Sequence, residues 1–187
     1  MIITISGTAG SGKSTAAKLL AKKLGFKHYS NGDFMRDMAE ERKISLIELG
    51  KIAETDRSID EELDRRQIEL GRNEDDFIID SRLGFHFIPN SVKVYLDADF
   101  EERAKRTLAD NIRKEHHVNL ETTKKSIRIR EASEKKRYKE YYNLDPSDKN
   151  HYDLVVDTTS ITPEEAVEKI LEFIRKKFKR TKFLIKL

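Results

Sequence analysis

Ile2-Ile3-Thr4-Ile5-Ser6-Gly7-Thr8-Ala9-Gly10-Ser11-Gly12-Lys13-Ser14-Thr15 stands at the start of the chain. The apolar run Ile2–Ser6, rich in β-branched residues and closed by glycine, reads as a buried strand. Gly7 to Thr15 then fits the spacing G-x-x-x-x-G-K-[S/T]. Beyond it, Ala16, Leu19, Leu20 and Leu24 fall on one helical face. Strand, glycine loop and helix in that order make a phosphate cradle. Consecutive backbone N–H groups curl round the anion, and the positive end of the helix points at it. Lys13 is placed to reach β- and γ-phosphates, and the Ser14 hydroxyl to ligate Mg²⁺. Gly7, Thr8, Ala9, Gly10, Ser11, Gly12, Lys13, Ser14 and Thr15 are thus the expected ATP-binding set.

Outward from this loop, short apolar runs alternate with longer amphipathic segments, as in an α/β domain with a parallel sheet. Strands are predicted at Phe77–Asp80, Val92–Leu96 and Asp153–Asp157, with a weaker one at Phe26–Tyr29. Helices are predicted at Lys13–Leu24, Gly32–Arg42, Leu46–Glu54, Asp60–Leu70 and Phe100–Asp110. Thr162-Pro163-Glu164-Glu165 opens a final one, with an N-cap threonine, proline at the first helical position and acids in the positive first turn. Leu120–Tyr142 is helical in propensity, dense in charge and poor in apolar residues, which suits a flap over a site better than a core helix. The expected architecture is a three-layer α/β P-loop fold around a central parallel five-stranded sheet. An acceptor-binding insertion covers about residues 31–72 and a lid about 110–142. No repeat or linker marks a domain boundary, so one domain is expected over 1–187.

With 187 residues, 37% apolar and 38% charged, the chain has the composition of a soluble globular protein. No run of about 18 apolar residues is present, so no membrane-spanning helix is expected. The N-terminus reads as a strand and not as a secretory leader. Without cysteine there is neither a disulfide nor a thiolate metal site, and a cytoplasmic location is expected. The net charge of +3 is uneven. Seven Lys or Arg and no acid lie between Ile174 and Leu187; 37 basic residues less these seven leave 30 against 34 acids. The basicity belongs to a tail, at about 174–187, and not to a nucleic-acid-binding face.

Among P-loop proteins, a GTPase needs an Asn-Lys-x-Asp guanine reader, which is missing. A mechanical ATPase usually has Glu directly after the strand acid, where this chain has Ser81, and needs more chain. A small kinase remains, with its own arginines to neutralise donor, acceptor and transition state. Phe77-Ile78-Ile79-Asp80 ends a strand on a carboxylate suited to Mg²⁺, directly or through water. Ser30-Asn31-Gly32-Asp33-Phe34-Met35-Arg36 offers a glycine loop and an Arg one turn on, able to hold an acceptor phosphate bidentately. Arg82 follows a strand end, above the crevice where ligands of such sheets bind. Arg128, Arg130, Lys135, Lys136 and Arg137 stud the long arm.

These stretches, together with Ile59–Gln67, Arg130–Tyr138 and Tyr152–Thr158, make the chain to about residue 175 resemble the nucleoside monophosphate kinases. Within them it looks like the cytidylate kinases of the short archaeal and small-bacterial type. The resemblance implies that the phosphate loop binds ATP, and that Ser30, Gly32, Asp33, Arg36 and Arg82 hold the CMP phosphate. Arg130 and Arg137 would close with the lid, and the segment about Asp60–Gln67 would belong to a mobile acceptor-binding region. Lys13, Arg82 and Arg130 are the expected catalytic residues, and Ser14 and Asp80 the metal partners. Asp64 and Gln67 stand between base readers and a solvated helix face. Two positions depart from the family pattern: Ser81 replaces the glycine of Asp/Glu-Gly-Arg, and Lys135 stands where Arg is common.

The implied reaction is direct in-line transfer from ATP to CMP or dCMP, in a monomer acting on small nucleotides without DNA, RNA or membrane. Two alternatives remain open: a kinase for AMP, UMP, shikimate or dephospho-coenzyme A, and a nucleotide-dependent switch or RNA-associated factor. His116-His117 reads as solvated loop, since one adjacent pair lacks the several ligands a metal needs. Tyr138, Tyr141 and Tyr142 read as packing. The tail reads as a solvated helix end, with oligomer contact through Phe178, Phe183, Leu184 and Ile185 as the next reading.

Overall fold

Residues 1–110 and 119–178 are described by the structure, a computed structural model. His116-His117 and the tail beyond Phe178 lie outside the described residues. Five parallel strands form the sheet: β1 (Ile2–Gly7), β2 (Lys27–Ser30), β3 (Phe77–Asp80), β4 (Val92–Asp97) and β5 (Leu154–Asp157). Their order is β2-β3-β1-β4-β5. β1 is central and buried along its whole length, which is why its residues are Ile and Thr without a polar alternation. Successive connections leave β1 on opposite sides, and at such a switch point a crevice opens beyond the carboxyl ends of the strands. The phosphate loop lies there.

Among the described residues, eight α-helices cover the faces and carry the insertions: α1 (Lys13–Leu24), α2 (Asn31–Glu41), α3 (Leu46–Ala53), α4 (Ser58–Asn73), α5 (Gly84–Phe87), α6 (Phe100–Ala109), α7 (Leu120–Tyr142) and α8 (Pro163–Phe178). The main core lies between the sheet and the α1–α8 pair, where Ile3, Ile5, Leu20, Val94, Leu96, Ile170 and Ile174 meet. A second cluster, Met38, Leu49, Ile59 and Leu63, gives α2, α3 and α4 an apolar centre of their own. The α2–α4 insertion is thus a packed subassembly on the β2 edge.

Sequence patterning placed most elements to within a few residues. α4 starts two residues before and ends three after the predicted Asp60–Leu70. β5 begins at Leu154, because the Asp153 carboxylate accepts from the Lys93 backbone N–H at 2.9 Å and so ends the turn before the strand. The predicted Thr162 cap is present as a box: Glu165 N–H donates to Thr162 Oγ1 at 3.2 Å, and Thr162 N–H to the Glu165 carboxylate at 2.7 Å. α5, only four residues long, had no periodicity to announce it.

Candidate active site

The site is built on the turn after β1. Gly7 has φ +144 and Gly10 φ +80, both outside the range of L side chains. A Cβ on Gly7 would collide with the Leu96 carbonyl, and one on Gly10 with the Arg103 carbonyl. The loop is therefore wedged between β4 and α6, so its backbone must come closer to both than any side chain allows. Ser11 Oγ and Lys13 Nζ both donate to Thr8 O, at 2.9 and 2.8 Å, which curls the loop on itself. Thr8 Oγ1 is buried without a hydrogen-bond partner. A buried orphan hydroxyl next to a ring of backbone N–H groups fits an anion that would supply its partner.

β3 contributes two residues. Asp80, 5% exposed, accepts from Ser30 Oγ at 2.9 Å and meets His28 Nε2 at 3.0 Å. Both carboxylate oxygens are taken by β2 side chains, so Asp80 would act on a bound Mg²⁺ through water. Among the described residues no group of three His, Asp or Glu is arranged to hold a metal ion. Arg82 donates from Nη1 to the Gly7 carbonyl and pairs through Nε with Glu134 of α7 at 2.7 Å.

α7 lies across this opening. Its N-terminus is a capping box, with Thr122 N–H donating to Asn119 Oδ1 at 3.0 Å and Asn119 N–H to Thr122 Oγ1 at 3.2 Å. Ile127, Thr123 and Tyr138 are its buried residues, Leu120 and Tyr142 pack beside them at its two ends, and polar and cation–π contacts add to its attachment. Glu134, 12% exposed, also takes Arg130 Nε at 2.9 Å. Burial alone would raise the Glu134 pKa, but Arg82 and Arg130 outweigh it and bring it down to about 2. Arg103 of α6, absent from the sequence reading, donates to the Ala9 carbonyl at 3.2 Å and pairs with Glu131 at 2.6 Å. Its Nε is buried and without a partner. No motif marks it: it is one Arg in an amphipathic helix, and only packing turns it toward the loop. Gly7, Thr8, Arg82, Tyr95, Glu131, Glu134, Lys135, Tyr138 and the turn Asp145–Ser147 enclose a cavity of about 190 Å³.

Other expected residues are distributed differently. Ser30, Gly32, Asp33 and Arg36 sit together at the start of α2, with Arg36 paired to Asp33 on an exposed face. Arg36 thus pairs within its own helix, whereas Arg82 and Arg130 share Glu134. Neighbouring Asn31 has a buried Oδ1 without a partner. Gln67 is not on a solvated face: it is 1% exposed, accepts from Ser81 Oγ at 2.5 Å and donates to Leu63 O at 3.3 Å. The serine that departs from the family pattern is what ties it down. Asp64 accepts from the Tyr142 hydroxyl and lines an open groove of about 510 Å³ along α4, apart from the phosphate loop. Arg137 pairs with buried Asp60 at 2.5 Å, joining α7 to α4. Lys135 pairs with Asp145 at 3.0 Å, and Arg128 stacks over the Phe100 ring at 4.8 Å. Tyr138 and Tyr142 pack with Leu83, Phe85 and Phe87, as expected.

Comparison with known proteins follows this geometry. Residues 2–160 match the sequence profile described as the cytidylate kinase-like family. The cytidylate kinase of Methanobrevibacter smithii is 38% identical over 175 residues, 94% of this chain and 99% of that protein. That of Methanothermobacter thermautotrophicus is 41% identical over 164 residues, 88% of this chain and 99% of its own. Among solved structures, an uncharacterized protein from Eubacterium ventriosum matches with a TM-score of 0.70 at 20% identity, covering 93% of this chain and 98% of that one. Shikimate kinase from Aquifex aeolicus matches with a TM-score of 0.58 at 18% identity, covering 95% and 98%. The structural likenesses carry the fold, a P-loop kinase sheet. The profile and the archaeal relatives carry the lineage, and on them this chain belongs to the cytidylate kinase-like family.

Proposed function

We propose that the protein transfers the γ-phosphate of ATP to CMP or dCMP, giving ADP and CDP or dCDP. The observation that carries the phosphotransfer reading is the place of Arg82. It stands two residues beyond β3, its guanidinium donates to the Gly7 carbonyl, and it lines the cavity under the arm. A cation there lies between the donor loop and whatever stands opposite it, where charge develops in transfer. Cytosine as the base rests on the names of the archaeal relatives. An acceptor phosphate oxygen attacks the γ-phosphorus, the bond to the β–γ bridging oxygen breaks, and ADP leaves with that electron pair. The acceptor is already anionic, so no strong base is needed. Lys13 and Arg82 would hold the donor and stabilise the transferring group, with Arg130 brought in by the arm. Ser14, and Asp80 through water, are the residues that would hold Mg²⁺, which when bound offsets the charge of the β- and γ-phosphates. Ser30, Gly32, Asp33 and Arg36 would form the acceptor side.

A coupled assay of ADP release across CMP, dCMP, UMP, AMP and GMP tests this. CMP or dCMP should give the highest kcat/KM. AMP as the best acceptor would remove cytosine and keep the kinase; no stimulation by any monophosphate would overturn the acceptor. No described helix is long and apolar enough to cross a membrane. A cytoplasmic monomer acting in pyrimidine nucleotide metabolism, without nucleic-acid partners, completes the proposal.

A further inference from the structure

Two carboxylates one turn apart on α7, Glu131 and Glu134, face the phosphate loop, as i and i+3 residues share a helix face. Each meets an arginine that also donates to a loop carbonyl: Arg103 with Ala9, Arg82 with Gly7. Glu134 does more than its neighbour. Oε2 takes Arg82 Nε at 2.7 Å and Oε1 takes Arg130 Nε at 2.9 Å, so one buried carboxylate spans an arginine from the sheet and one from the arm. Both contacts use Nε, which fixes the direction in which each guanidinium plane extends. Exposures of 14% for Arg82 and 12% for Glu134 put this contact out of bulk water, where an unpaired charge is costly.

We propose that Glu134 is a positioning residue for phosphoryl transfer: it sets Arg82 and Arg130 as one pair, and does so only when α7 is down. This rests on the kinase reading above. An arginine on a strand end has four rotatable side-chain bonds, and its guanidinium stabilises transfer only when held in one orientation. The Gly7 carbonyl supplies one restraint and Glu134 the second. A bidentate carboxylate acceptor suits this role, because a glutamine in its place can accept with its oxygen but presents an N–H to the other arginine. The strongly lowered pKa of Glu134 agrees with a carboxylate that stays charged between two cations. Pairing with Arg82 also gives the arm a reason to carry an acid over an anion site, where like charge would otherwise repel the substrate.

The test is a double-mutant cycle of Glu134→Gln and Arg82→Ala, read as kcat and KM with CMP and as ATP affinity by calorimetry. In the wild-type background Glu134→Gln should lower kcat about 100-fold, comparable to losing an electrostatic donor. In the Arg82→Ala background it should cost about tenfold or less, because one of the two arginines it acts through is gone and only Arg130 remains to be positioned. For Glu134→Gln in the wild-type background ATP affinity should move less than about threefold, since Glu134 reaches the phosphate loop only through Arg82. Lys139→Ala, which removes a contact to Asn143 at the far end of the arm, outside the cavity and the seam, serves as the control for substitution on α7 and should leave kcat within about twofold. Equal losses from Glu134→Gln in both backgrounds would overturn the inference, and so would a kcat near wild type. If Glu134→Gln does not fold, Glu134→Asp enters the same cycle: it keeps the charge but reaches only one arginine. Wild-type protein that turns over no monophosphate would instead fell the kinase reading.

Discussion

At the scale of single residues, Lys13 and Asp64 make opposite predictions. Lys13 donates to Thr8 O at the rim of the loop and packs against no core residue. Lys13→Ala should therefore lower kcat by roughly 10²–10³-fold with the circular dichroism spectrum retained; near-normal turnover of folded variant would remove the phosphate-loop reading. Asp64 is a stability probe. Burial, helped by Asp60 and Glu61, pushes its carboxyl to about 7, against the Tyr142 hydroxyl bond and Arg57, which lower it. The folded state thus holds this proton more tightly than the unfolded chain. Linkage then makes stability fall as pH rises from about 4 to 7, the interval between the unfolded and folded pKa values. Asp64→Asn keeps an acceptor for Tyr142 and removes the ionisation. Melting temperatures should show the variant's advantage growing from pH 4 to 8; parallel curves would show that Asp64 titrates as an ordinary surface acid.

At the scale of elements, the arm is the part whose behaviour the geometry constrains most. The cavity under α7, about 190 Å³, is below the roughly 300–1,000 Å³ of typical ligand pockets. On the kinase reading, a nucleotide bound here should therefore displace the arm. Its holding contacts are largely ionic: Arg82–Glu134, Arg103–Glu131, Lys124–Glu101 and Arg137–Asp60. Amide exchange across 120–142 should be faster than in α8, rise further in 0.5 M salt by about tenfold or less, and slow on binding a bisubstrate mimic that links both nucleotides. Equal exchange with and without the mimic would make α7 a fixed structural helix. The helix itself was legible, since a 23-residue run of Arg, Lys and Glu has helical propensity and an asparagine cap. Its partners were not. Nothing local in Arg137 distinguishes a ligand for phosphate from a partner for Asp60, and nothing local in Arg103 points it at Ala9. The same holds for Gln67, whose amide is claimed by the hydroxyl of Ser81, 14 residues away. Glycine loop, strands and caps are written in neighbouring residues; ion-pair partners are set by packing between distant ones.

At the scale of the whole molecule, the sheet puts the donor loop at its centre, the α2–α4 insertion on the β2 side and the arm on the β4 side. The latter two bodies meet through a polar seam over the crevice. Arg137 pairs with Asp60, Ser133 Oγ donates to Glu54 at 2.9 Å, Tyr142 donates to Asp64, and Arg57 stacks on the Tyr141 ring at 5.1 Å. No apolar cluster spans α4 and α7 among the described residues, so the seam opens without exposing core. If the arm and the insertion close over the two nucleotides of the proposed reaction, this seam links them, and donor and acceptor binding should reinforce one another. Calorimetry should find CMP binding about fivefold or more tighter when the donor site holds a non-hydrolysable ATP analogue. Asp60→Asn should cut that enhancement. With Asp60 neutral, Arg137, 16% exposed, loses its counter-charge in the closed seam, and closing then costs up to several kcal/mol more while the open form is little affected. CMP affinity with the donor site empty should change less than the affinity with it filled. An enhancement as large in Asp60→Asn as in wild type would mean that the insertion and the arm close independently, each answering to its own nucleotide.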